Sequence, residues 1–130
     1  MLLRSPIVSF LVLISVAGCN EFGGEGEQIA ESKIAVGFLL ADPSSAQFSD
    51  VAVSGRATCG LVNAKNQFGA YSGLTGFIVD DGSAQLGDES SEFFDRFLKT
   101  CAEPAKSKFT ALDSARTRHR IDAVTKALKE

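Results

Sequence analysis

The chain contains one histidine, one tyrosine and no tryptophan. With only His119, the multi-histidine sets of most catalytic zinc sites are ruled out. Any Ser–His–Asp chemistry would depend on that one residue. Three prolines are too few for an extended polyproline segment. Three cysteines with no C-x-x-C pair argue against thioredoxin-like redox chemistry. After residue 18, no apolar run approaches the roughly 20 residues that a membrane-spanning helix needs. Gly23-Gly24-x-Gly26 lacks the lysine of a phosphate-binding loop. The adjacent carboxylates Asp80-Asp81 and Asp88-Glu89 read as solvated turn residues, because glycosidase chemistry needs two carboxylates facing across a cleft. No residue is therefore assigned a catalytic role, and no cofactor or metal set is indicated.

What is present begins at the amino terminus. Arg4 is the only charge before Glu21, and residues 7–18 are apolar or small apart from Ser9 and Ser15. A basic start, an apolar stretch and a small-residue end describe a secretory signal peptide. Its end, Val16-Ala17-Gly18-Cys19, resembles a bacterial lipobox. That resemblance implies that the Cys19 thiol carries a diacylglyceryl group, that residues 1–18 are removed and that the new amino terminus is acylated. Acyl chains add about 0.8 kcal/mol per buried CH₂, so several of them hold a protein on a bilayer. Asn20 stands where an aspartate would favour inner-membrane retention in the enteric sorting pattern. The expected location is the bacterial cell envelope, at the periplasmic face of the outer membrane.

Residues 19–28 are acidic and glycine-rich and read as a flexible tether. Residues 29–130 are expected to form one α+β domain. Charge divides unevenly along the chain. Residues 19–95 hold 3 basic and 12 acidic side chains, and residues 96–130 hold 9 and 4. Such a basic end fits a membrane-facing tail, or a basic helix lying on an acidic body. Export argues against nucleic acid as a partner. With Cys19 lipidated, Cys59 and Cys101 remain as an even pair in an oxidising compartment and are expected to form a disulfide.

Hydrophobic spacing predicts a helix over about 27–41, then a short turn at Asp42-Pro43 with Phe48 facing the core. Residues 51–53, 57–62, 74–79 and 83–86 read as β-strands, with turns at Ser54-Gly55-Arg56 and Asp80-Asp81-Gly82. Asp88 or Ser90 is placed to cap a second helix, in which Phe94, Phe97, Leu98 and Cys101 share a face. That face points Cys101 at the strand carrying Cys59. Glu103-Pro104 stops this helix, and Thr110-x-x-Asp113 reads as a capping box for a last helix to about Leu128. The predicted fold is a three- to four-stranded antiparallel sheet with helices packed on one face and one disulfide.

Two segments form a pattern together. Asp42-Pro-Ser-Ser-Ala-Gln-Phe48 precedes Cys59-Gly-Leu-Val-Asn-Ala-Lys-Asn-Gln-Phe-Gly-Ala-Tyr-Ser-Gly73, with Phe77 beyond. This pattern resembles a group of small exported proteins and lipoproteins of Proteobacteria, over about a third of the mature chain. Where that group often has a second glycine, this chain has Ala70. The resemblance implies an exported setting and a shared small fold, and carries no catalytic residue across.

Asn63, Lys65 and Asn66 could offer polar contacts, and Phe68 and Tyr71 flat surfaces, to a glycan or peptide strand. In the alternative reading, the asparagines bond loop backbone, the glycines permit the turns and the two rings fill the core. Arg116, Arg118 and Arg120 form a candidate anion patch for lipid phosphate, lipopolysaccharide or acidic peptide. The function these features point to is a non-catalytic envelope module that binds a protein or cell-wall component. A small envelope hydrolase would require His119 to meet a serine or carboxylates in a cleft. An inhibitor or exclusion factor acting on a foreign envelope protein would require a loop projecting from a rigid scaffold.

Overall fold

The computed structural model describes residues 24–88 and 90–129. The leader, Cys19, the start of the tether and Glu89 lie outside the described residues. The order of elements is α1 (Glu25–Gly37), a 3-10 turn (Pro43–Ser45), β1 (Gln47–Ser54), β2 (Ala57–Asn63), β3 (Thr75–Asp80), β4 (Ser83–Leu86), α2 (Ser91–Thr100) and α3 (Ala105–Ala127). The four strands form one antiparallel meander in the order β1-β2-β3-β4. The fold is α+β, as expected.

The expected placement of helices on one face is corrected: the sheet is covered on both. Along β2, Cys59 and Leu61 face α2 and α3, packing with Ile78, Phe93, Phe97 and Phe109. Val62, one residue on, packs to the other side with Val36, Phe77 and Val79 beneath α1. The cause is visible in β2 itself, where six successive residues from Ala57 to Val62 are buried. A strand covered on one face alternates apolar and polar; a continuous run needs two covers.

β1 reaches this double pattern through a bulge. Ser49 pairs with Leu61 and Ala52 with Cys59, so Asp50 and Val51 oppose one residue, and Asp50 takes φ 51°. The extra residue leaves Val51 on the α1 side and Ala52 on the α2–α3 side. At the β3–β4 hairpin, Asp81 and Gly82 both have positive φ. Those are the values that a two-residue type I′ turn demands.

Helix boundaries differ from expectation at three places, and one helix buries a different face. Helix α1 starts at Glu25, so residues 25–28 are its first turn rather than tether. It ends at Gly37, a poor helix former, instead of reaching Ala41. Its buried seam is Ser32 and Val36, flanked by Ala35, while Ile34, Phe38 and Leu39 stay exposed. In α2 the buried stripe is Phe93 and Phe97, with Phe94 only partly covered. Ser90 is the cap, its hydroxyl accepting from Phe93 N at 3.2 Å, and Asp88 in turn holds Ser90. Helix α3 begins at Ala105, five residues before the capping-box position. Ala105 and Phe109, one helical turn apart, are buried and pin this start to the core. Thr110 instead donates back to Lys106 O at 2.9 Å, within the helix.

Cys59 and Cys101 are joined by a disulfide, with their Cα atoms 5.7 Å apart. It ties β2 to the residue that follows α2. Beside it, the Phe97 and Phe109 rings stack at 4.2 Å between centroids. Phe109 also dictates glycine at position 76, where a Cβ would come within 2.7 Å of its ring.

Candidate functional site

The link between β2 and β3 is the longest irregular stretch in the sheet; it holds Lys65, Asn66, Phe68 and Tyr71, and Asn63 ends the strand before it. A single bridge pairs Lys65 with Tyr71. Beyond it, Asn66 N donates to Ala70 O at 2.8 Å and Gly69 N to Asn66 O at 3.0 Å. The Asn66 side-chain oxygen accepts from Phe68 N at 2.9 Å and Ala70 N at 3.2 Å. Nearer the sheet, the Asn63 side chain accepts from Gly73 N at 3.0 Å. Gly69 and Gly73 take φ 78° and 94°, while Ala70 is not among the positive-φ residues. Both asparagines thus satisfy loop backbone, as the conformational reading expected.

The aromatic residues depart from that reading. Phe68 sits at the loop tip with 84% of its surface exposed, and Tyr71 is also exposed. Neither fills the core. The Lys65 ammonium lies 5.7 Å from the centre of the Tyr71 ring, in cation–π range.

The loop is fastened at its base by a residue that the sequence analysis did not single out. Ser45 Oγ accepts from Lys65 N at 2.8 Å, and Ser45 O accepts from the Tyr71 hydroxyl at 3.2 Å. The Ser45 hydroxyl donates to Asp42 O at 2.7 Å. Asp42 is held below the usual carboxylate range chiefly by the Ser44 hydroxyl, which donates to it at 2.6 Å. The two halves of the sequence pattern therefore meet here. Their spacing was legible, but which serine would serve as the bolt was not.

Next to this junction lies an apolar groove formed by Ile34, Phe38, Leu40, Pro43, Ala46 and Phe48, with Lys33 at its edge. Its signal in the sequence was the surplus of apolar residues on the first helix, more than one seam can bury.

The candidate anion patch divides. Arg116 and Arg120, one turn apart, line a cleft against Thr75, Gly87 and Asp88, and Arg116 donates to Leu74 O. Arg118 points elsewhere, its Nε 3.4 Å from Ser114 O on its own helix. His119 and Ser72 border the same cleft. However, Ser72 Oγ donates to Ala64 O at 3.1 Å and Asp88 accepts from Ser90. No hydrogen bond among the described residues joins His119 to either. Among the described residues, Ser72, His119 and Asp88 are not joined in the nucleophile–base–orienter relay of a hydrolase. No group of three potential metal ligands occurs among the described residues, nor any helix long and apolar enough to cross a membrane.

Fold and site together define a disulfide-tied, three-layer α+β domain that displays one braced loop. Compared with family models, curated proteins and solved structures, the chain matches none of them.

Proposed function

We propose that this chain is a lipid-anchored cell-envelope protein that acts by binding, with the loop from Ala64 to Ser72 as its recognition element and an envelope protein as its partner. One observation carries the reading. Asn66, Ser45 and the Lys65–Tyr71 bridge hold the loop closed, and the product of that bonding is a phenylalanine ring exposed to water. An aromatic side chain carried on a backbone braced before contact spares the loop-ordering cost of binding, which suits an interface anchor. A protein pocket suits Phe68 better than a glycan does, because both asparagine oxygens that would read sugar hydroxyls are taken by backbone. The lipobox resemblance at Cys19 and the resemblance of residues 42–77 to exported proteins support the envelope setting.

The test uses cells carrying the full chain with a photoreactive residue in place of Phe68. Irradiation is expected to yield one discrete adduct in the membrane fraction, lost when Asn66→Ala opens the loop while the melting temperature of the domain stays within a few degrees. No adduct, or the same adducts with and without Asn66, would sink the proposal. Cys19→Ser checks the anchor: the protein should leave the membrane fraction, and mass spectrometry should show the acyl mass missing.

A further inference from the structure

The carboxyl-terminal half of α3 adds no buried residue to the domain. Every residue from Asp113 to Lys129 is exposed. Ile121, Val124 and Leu128 are 58%, 59% and 83% exposed, and at spacings of three and four they form one stripe. That stripe does not continue the core seam. At 100° per residue it lies roughly 120° around the helix from Ala105, Phe109 and Arg116. It therefore points to the side of the domain rather than back at it.

The charge around it is specific in sign. Residues 110–129 carry five Lys and Arg and two Asp, whereas residues 19–95 carry 3 basic and 12 acidic side chains. Arg118 and Lys129 border the stripe at about 60° and 80° from Ile121 on the helical wheel. Long cationic side chains beside a narrow apolar face suit an anionic bilayer: stems and stripe enter the headgroup boundary and the charges meet phosphate.

We infer that the 113–129 half of α3 is an interfacial helix that lies on an anionic phospholipid surface. The acidic remainder of the molecule is repelled by such a surface, so contact falls to the basic helix. The inference draws on the proposed envelope anchoring only for a bilayer being at hand. It stands or falls without Cys19.

The experiment is vesicle flotation of the full chain bearing Cys19→Ser, so that no acyl group contributes. Phosphatidylcholine vesicles are compared with and without phosphatidylglycerol, at low and high salt. The protein is expected to float with phosphatidylglycerol vesicles at low salt and to be released by salt. Arg118→Gln with Lys129→Gln should weaken binding about thirtyfold, at the usual worth of a cation near an anionic surface. Ile121→Ser should weaken it while leaving the melting temperature nearly unchanged, since the side chain is exposed. A fluorophore on Ile121→Cys should shift to the blue on phosphatidylglycerol vesicles alone. Failure to float, equal binding to neutral vesicles, or binding indifferent to these substitutions would overturn the inference. So would sedimentation showing a dimer that Leu128→Asp dissolves, because the stripe would then belong to a second copy of the chain.

Discussion

The two faces of the sheet are built to different standards. On one, β2 and β3 meet α2 and the start of α3 through a disulfide and four phenylalanines, with Phe97 stacked on Phe109 at 4.2 Å. On the other, α1 is held by Val36, small residues and one edge-to-face ring pair, Phe48 on Phe77 at 5.7 Å. Its polar ties are Gln28 Nε2 to Gly55 O at 3.2 Å and to Thr58 Oγ1 at 3.3 Å. Through Leu112 the firm face keeps its large apolar residues buried or half-buried. The lighter face leaves Ile34, Phe38 and Leu39 outside and supports, through Ser45, the loop that carries Phe68. The apolar groove and the Phe68 loop thus gather where the core asks least of its residues, as expected of surfaces kept for a partner.

The largest expected effect tests this contrast directly. Phe97→Ala should cost about 3–5 kcal/mol in denaturant unfolding, and Phe48→Ala about half that, because Phe48 is only half-buried. Equal costs would break the comparison.

Removing the bridge with Cys59→Ser and Cys101→Ser should cost about 4 kcal/mol for a loop of 42 residues. Melting temperatures with and without reductant measure it, and the loss should fall on the α2–α3 side in hydrogen exchange while α1 already exchanges faster in the native protein.

A smaller effect has a diagnostic sign. Alanine in place of a strand glycine ordinarily stabilises. Gly76→Ala should instead destabilise by about 1–3 kcal/mol, because Phe109 occupies the space. Phe109→Leu should recover part of that loss, as read by urea titration of the double variant.

The smallest effect is set by pH. Glu103 accepts from Ser107 N at 3.1 Å in the first turn of α3, and the Ser107 contacts hold its carboxyl below the usual range. A carboxylate lowered in the folded state stabilises at pH values above its ordinary pKa of about 4, and that help is lost as pH falls through the folded value. Glu103→Gln should therefore lower the melting temperature slightly at neutral pH and bring wild type and variant together in acid.

Much of this molecule was decided locally and is legible in its residues. Asp81-Gly82 forces its hairpin through positive φ, β2 and β3 follow their apolar runs whereas β1 starts four residues before its own, and Ser90 caps α2. Cys59 and Cys101 pair as their even count and helix spacing suggested. Asn66 bonds loop backbone because its short side chain reaches Phe68 N and Ala70 N from within the same turn. What only the tertiary structure decided were relations between distant segments. The spacing of α2 pointed to Phe94, Phe97, Leu98 and Cys101 as its seam, and packing against Phe109 instead buried Phe93 with Phe97. The start of α3 moved to Ala105 because burial of Ala105 and Phe109 outweighs a surface capping signal. Ser45 became the bolt of the loop only when the chain brought it, 20 residues away in sequence, to Lys65. The second cover of the sheet was written in the six unbroken buried residues of β2, yet which helix supplied it was not. Propensity and turn chemistry act within a few residues, and burial is settled only when the whole chain competes for the same core.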